Sequence, residues 1–265
     1  MNDLLNRYGI KEVADVTFYE ITDSGEPGAP VLFLDTLKVS TIEQTAEEAT
    51  ANGGKGNAPL IVWDYGKEIT VTLEDALFSP KSLAIMFGDA DGINADTTTI
   101  KKTFRVEDII GIDNANEGTN VTELEINING KTVKLTNAKY YSYDAKGEIQ
   151  EVTQKTLAAI KAAAYGVVDL GAVAQEIEVS ANSFPGTYYI TGDTYARSET
   201  TGKDEFFQFV IPKAKVQSEN TITMEADGDP SVFNMSLKVL RPKDGKMMKL
   251  IKYSLSDGTA TTVED

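Results

Sequence analysis

The sequence predicts an all-β protein with antiparallel strands and one or two short helices. Apolar and polar residues alternate with a period of two along the 265-residue chain, as in residues 68–74 (EITVTLE) and 231–240 (SVFNMSLKVL). This alternation indicates strands that bury one face and leave the other in solvent. The dipeptide at 129–130 (NG), between two alternating runs, is typical of a two-residue hairpin turn.

The same alternation sets the expected strand faces. Ile69, Val71 and Leu73 should point inward from the strand at 68–74. Pro212 has no N–H to donate, so the later half of its strand should lie at an edge or a bulge. In chain order, strands are predicted at 13–20, 31–43, 68–74, 97–106, 121–128, 131–135, 138–143, 185–197, 205–216, 221–226, 231–240 and 247–255.

Two helices are predicted between these strands. The first has Ser79 as its N-cap, Pro80 as its first residue and Gly88 as its end. The second is alanine-rich and runs from Thr153 until Gly166 ends it.

One long connection stands apart from this pattern. Residues 46–58 (AEEATANGGKGNA) are small, polar and rich in glycine, and they separate two strand-like runs. Loops of this length without structure of their own are usually functional or disordered, so we predict a functional loop here. Its candidate contact residues are Glu47, Glu48, Asn52, Gly53, Gly54, Lys55, Gly56 and Asn57.

Composition argues against an enzyme. The chain has no histidine and no cysteine, which removes the commonest general base, the thiol nucleophile and the usual zinc ligands. Forty-one acidic residues against 25 basic ones give a formal charge of −16, which should repel nucleic acid. No run approaches 18 apolar residues, so no membrane span is expected, and we expect no cofactor.

Short motifs that suggest ligand sites have simpler explanations. The NGKT run at 129–132 is followed by a strand instead of a helix, so a hairpin turn explains it better than a phosphate-binding loop. In DADGINAD, from Asp89 to Asp96, the glycine and the final acidic residue are out of place for a calcium loop. A solvated turn is the expectation there, with a metal site as the lesser alternative.

A basic cluster near the end of the chain contrasts with the overall acidity. Lys243, Lys246, Lys249 and Lys252 lie within ten residues of one another. They could contact an acidic patch on a neighbouring copy, or they could protect a solvated strand edge. The sequence leaves both readings open.

Two stretches, 53–88 (GGKGNAPLIVWDYGKEITVTLEDALFSPKSLAIMFG) and 209–253, the second running from FVIPKAKV to LIKY, resemble the major tail tube proteins of long-tailed phages that infect Gram-positive bacteria. They cover roughly a third of the chain, in the order strand, loop, strand, helix and then three strands. The chain is thus expected to be a single tail-tube domain over 1–265. The middle, about 89–205, has no such likeness and is a possible insertion or decoration.

This resemblance implies a β-sandwich whose strands join those of five other copies in a ring, completing an inter-subunit β-barrel. Rings would stack into the tail tube around a tape measure protein, with tail terminator and distal tail proteins as further partners. DNA would later pass through without specific binding. The protein would be part of the virion and would occupy the host cytoplasm during assembly.

The length of the chain favours a non-contractile tail, while a contractile tail or a phage-derived particle stays open. A β-sandwich module for carbohydrate binding or adhesion is the alternative from another class. That module would need exposed aromatic residues around a groove, whereas the single tryptophan, Trp63, lies in an apolar strand-like run.

The resemblance also suggests roles for particular residues. Glu68, Glu74 and Glu225 lie on the polar faces of their predicted strands, and we expect them to line the tube lumen. The loop at 46–58 should reach an adjacent ring and become ordered there.

Overall fold

The computed structural model describes residues 6–89, 94–219, 221–222, 224 and 232–253. The chain forms two compact units, each with its own hydrophobic core. The first unit combines Met1–Ile93 with Ile177–Asp265, and the second is Asn94–Glu176. Within the described ranges, no helix is long and apolar enough to cross a membrane.

The described secondary structure is mostly β, as predicted. In chain order the strands are β1 (Tyr8–Ile10), β2 (Asp15–Ile21), β3 (Pro27–Leu34), β4 (Leu37–Gly53), β5 (Ala58–Asp75), β6 (Asn94–Arg105), β7 (Glu125–Ile128), β8 (Lys131–Lys134), β9 (Lys139–Tyr143), β10 (Ile149–Glu151), β11 (Tyr165–Glu176), β12 (Thr187–Ser198), β13 (Asp204–Val216), β14 (Phe233–Val239) and β15 (Lys249–Tyr253). The α-helices are α1 (Pro80–Phe87) and α2 (Leu157–Lys161), and short 3-10 turns occupy Val106–Asp108, Ile112–Asn114 and Val121–Glu123.

The first unit is built on one antiparallel sheet in the order β3-β2-β12-β13-β14-β5-β4, with β1 also pairing with β12 and β15 with β13. Strands β3 and β4 lie at opposite ends of this order, yet only residues 35–36 connect them. The sheet therefore folds over on itself around a core, as in a β-sandwich, and β3 and β4 are not paired with each other. The single strand predicted at 31–43 is wrong, because residues 35–36 separate β3 from β4. At this corner the Thr36 hydroxyl donates to the Asp75 carboxylate at 2.5 Å.

The core of the first unit contains the residues that alternation placed inward. Ile69, Val71 and Leu73 of β5 are buried, and across from them so are Met235 and Leu237 of β14. This confirms the predicted strand faces.

Helix α1 confirms the first predicted helix. The Ser79 hydroxyl accepts from the backbone N–H of Ser82 at 3.0 Å, and the Ser82 hydroxyl accepts from the N–H of Ser79 at 3.0 Å. Gly88 ends the helix with φ +84°, a left-handed conformation that costs glycine little.

The second helix is shorter than the sequence predicts. Helix α2 covers only Leu157–Lys161, with Thr156 as its N-cap. The backbone N–H of Ala164 bonds to the carbonyl of Tyr141 at 2.8 Å, and Tyr165 already begins β11. Pairing with the sheet therefore overrides the helix propensity of the alanines.

The second unit contains a sheet in the order β10-β9-β11-β6 and the separate hairpin β7–β8. Asn129 (φ +49°) and Gly130 (φ +80°) form the turn of that hairpin, which confirms the prediction. The core of the second unit includes Ile126, Leu135 and Tyr140, and burial raises the pKa of Tyr140 to about 12. The unit spans less than the predicted insertion at 89–205, because β12 and the start of β13 belong to the first unit. Its role as a decoration stays a prediction.

Two further strand predictions have opposite outcomes. Pairing between β12 and β13 shifts register between Tyr188–Ala214 and Ile190–Ile211, which places a bulge at Pro212 as predicted. The described residues of the strand predicted at 221–226 (Thr221, Ile222 and Met224) are not in a strand. Alternation alone is therefore not enough to make these three residues a strand.

Candidate assembly surfaces

Beyond the core, β4 and β5 continue as a two-stranded arm, residues 47–65. Pairing runs from Glu47 opposite Tyr65 to Gly53 opposite Ala58, and only residues 54–57 form the turn. The long loop predicted at 46–58 is therefore wrong. Composition suggested a loop because the segment is small and polar, but the apolar run opposite it has high β-propensity and pairs with it.

A β-bulge separates the arm from the core-bound part of the hairpin. Thr45 lies opposite Glu68 and Glu47 opposite Tyr65, so two residues of β5 oppose the single Ala46. The bulge includes Gly66, whose φ is +62°. Because strand side chains alternate, the extra residue moves the odd-numbered side chains of β5 to the other side of the hairpin. They point into the core at 69–73 and outward at 61–65.

The arm presents one apolar face, which we call the Trp63 face. It consists of Ile61, Trp63 and Tyr65 of β5 and of Ala51 and Ala49 opposite the first two on β4, while Glu47, opposite Tyr65, borders it. The three large side chains are 53%, 54% and 53% exposed. Trp63 thus lies in a strand, as its apolar run predicted, but its side chain is in solvent. Contiguous exposed apolar residues of this kind mark interaction surfaces.

Below the bulge, the outward side of β5 forms a polar face. Its row contains Glu68, Thr70, Thr72 and Glu74, flanked by Thr41, Glu43 and Thr45 of β4 and by Asn234, Ser236 and Lys238 of β14. The Lys238 ammonium lies 2.5 Å from the Glu68 carboxylate, so that charge is compensated. Glu74 lies opposite Asn234, which carries no charge. Glu225, the third residue of the predicted lumen set, lies outside the described residues.

The predicted basic cluster lies in the segment before and within β15, residues 241–252, which we call the basic segment. Lys252 is bound to partners in its own unit. Its ammonium is 2.8 Å from the Glu205 carboxylate and donates to the Tyr8 hydroxyl at 2.7 Å. Lys243 and Lys249 are exposed and make no ion pair within the described ranges. Lys246 lies 3.9 Å from Asp244, a loose contact between exposed groups.

An open groove of about 560 Å³ lies where the chain passes from β1 to β2 beside β12. The Arg197 guanidinium donates two hydrogen bonds of 2.7 Å to the Asp204 carboxylate, which holds the pKa of Asp204 below its usual value. Gln208 donates to Asp193 at 2.8 Å. These polar groups are bound to one another, as expected of a sheet surface.

The metal alternative at Asp89–Asp96 falls mostly outside the described residues. Asp89 itself accepts a hydrogen bond of 2.9 Å from the backbone N–H of Glu178. Among the residues that the structure describes, no group of three His, Cys, Asp or Glu side chains could hold a metal ion.

Sequence comparisons cover the whole of this architecture. The profile of the YomU/Tube protein family matches residues 8–252. Over 269 residues the chain is 24% identical to a tail tube protein of Bacillus phage SPR, an alignment that covers 97% of this chain and 93% of that protein. The matched region includes the arm, the polar face and the basic segment, together with the middle segment that showed no resemblance of its own.

Proposed function

This chain belongs to the YomU/Tube protein family, and from that premise we propose that its copies form six-membered rings that stack into the tube of a non-contractile phage tail. It is a structural tail tube protein and a component of the virion. The six-fold ring, the tail type and the passage of DNA through the tube are our proposal. They rest on the resemblance of residues 53–88 and 209–253 to tube proteins of long-tailed phages.

The observation that carries the assembly is the exposed Trp63 face. An isolated two-stranded hairpin is marginally stable in water, and this one displays three large apolar side chains on one side. Fully burying such a side chain stabilises by roughly 1.5–3 kcal/mol, and these are already half covered. The burial of apolar surface alone would therefore add about 1 kcal/mol for each side chain when another copy covers the face, before any gain from close packing.

We place this contact between rings. Residues 46–58, predicted to reach an adjacent ring, contain the β4 strand of the arm and its turn. Because the backbone of the arm is already paired, docking requires less loss of conformational entropy than the ordering of a free loop would.

We assign the polar face to the lumen. Hydroxyl and carboxylate groups dominate it, and Glu74 has an uncharged partner. Carboxylates repel the phosphates of duplex DNA weakly, so DNA would slide past without adhering. Before ejection the same channel would hold a tape measure protein, and tail terminator and distal tail proteins would close the ends.

Electron microscopy of the purified protein tests the ring and the tube. We expect six-fold rings and stacked tubes at high protein concentration, and virion images without a contractile sheath around the tube. Monodisperse particles of one copy at every concentration would contradict the ring, and a sheathed virion would reassign the protein to a contractile tail.

A further inference from the structure

Four strands of the first unit pair on one side only within the described ranges: β1, β3, β4 and β15. Natural proteins protect such edges with prolines, lysines or short length. Strand β3 contains Pro27 and Pro30, β1 has three residues, and β15 carries a lysine near each end. Strand β4 has 17 residues and no proline. It is the longest of the four edges, and charged side chains are its main protection.

The charge of this edge is also distinctive. Glu43, Glu47 and Glu48 of β4 are exposed and make no ion pair within the described residues, while Lys38 is the only cation of the strand. In a chain of net charge −16, the basic segment has the opposite character, with five cations against one carboxylate. It also ends in a strand, β15, which pairs only with β13 among the residues that the structure describes.

We propose that the free edge of β4 in one copy docks against the basic segment of the next copy, and that this contact closes the ring. The inference rests on the proposed ring. Two different surfaces of the same chain then meet, a head-to-tail contact that can repeat around a closed ring. An edge of β4 facing another β4 would place like charges together, which costs several kcal/mol at an interface.

Two charge-reversal variants test the contact: E43K/E48K on the β4 edge, and K243E/K249E on the basic segment. Glu47 is left unchanged because it lies opposite Tyr65 on the Trp63 face, and Lys246 because it already contacts Asp244. Lys252 is left unchanged because Glu205 and Tyr8 hold it. Each variant alone should keep its circular dichroism spectrum and remain a single copy by sedimentation. Its threshold concentration for assembly should rise by more than about tenfold.

An equimolar mixture of the two variants gives the sharper result. The reversed edge of one variant complements the reversed segment of the other, and their two unmodified surfaces also complement each other. Alternating rings should therefore form, with three copies of each variant. Electron microscopy and mass analysis of the rings would detect them. The variant that carries all four substitutions should also assemble on its own.

The control is E117K/E123K, which raises the net charge by as much as the edge variant does, at exposed carboxylates of the second unit. It should assemble as the unmodified protein does. Normal assembly of either reversed variant, or failure of both the mixture and the variant with all four substitutions, would overturn the proposed contact. If the unmodified protein forms no rings, the proposed function itself fails, and this result is separate from the others.

Discussion

The two halves of the β4–β5 hairpin differ in what surrounds them. In the core-bound half, alternate residues of β5 are buried, and Val71 and Leu73 have no exposed surface. In the arm, four consecutive apolar residues from Leu60 to Trp63 are 49–67% exposed. The backbone ladder runs through both halves, with one register shift within each half and the bulge at Gly66 between them. Pairing therefore builds the strand, whereas burial needs a second layer, which the arm lacks in a single copy.

The largest expected effect on folding is in the core-bound half. Leu73→Ala should lower the free energy of unfolding by about 2–5 kcal/mol, because it removes a fully buried side chain and leaves a cavity. Ile61→Ala in the arm is the matched change and should stay within about 0.5 kcal/mol. Urea unfolding of single copies measures both. Equal losses would mean that the arm is buried in the single copy as well.

Trp63→Ala should separate assembly from folding. Buried tryptophans are frequent hot spots of interfaces, so the loss of this one should weaken assembly by about 2 kcal/mol, or roughly 30-fold in threshold concentration. The stability of the single copy should change little. Val62→Ala, on the other side of the arm, is the control and should weaken assembly less. A larger effect of Val62→Ala would show that the opposite face of the arm is the one that docks.

The bulge that joins the two halves gives an intermediate effect. Gly66→Ala should cost about 1 kcal/mol, because φ is +62° there and a Cβ is disfavoured in the left-handed region. The melting temperature should fall by about 2–4 °C.

The control for the bulge is Gly171→Ala in β11. Its φ is not positive and an added Cβ meets nothing within 4 Å, so it should be neutral or slightly stabilising. An unchanged melting temperature for Gly66→Ala would indicate that the bulge accommodates a side chain and does not fix the direction of the arm.

Local rules predicted the core-bound regions well. Alternation placed Ile69, Val71 and Leu73 inward, the capping residues bounded α1, and Asn129–Gly130 formed its turn. In each case the cause lies within a few residues of the chain, so the sequence contains it.

The arm could not be predicted in the same way. Its strands exist because residues 47–53 pair with residues 58–65, and glycine content argued against this. The exposure of Trp63 depends on the absence of a covering layer, which is a property of the tertiary structure. The available signal was the unbroken apolar run at 60–63, since a half-buried strand would alternate.

The smallest expected effect on folding is at the outward side of the core-bound half, where Glu74→Lys should change stability within about 0.5 kcal/mol. Rings and tubes should form normally. If the polar face lines the lumen, six new lysines per ring would face DNA phosphates, which repeat every 1.7 Å or so along the duplex. The interaction extends over about 8 Å at physiological salt, so ejection of DNA from variant virions should slow in low salt and recover as salt is added. Glu74→Gln removes the charge without reversing it and should slow ejection less, and Glu123→Lys in the second unit controls for net charge. Ejection of Glu74→Lys virions at the normal rate in low salt would place the polar face on the outside of the tube.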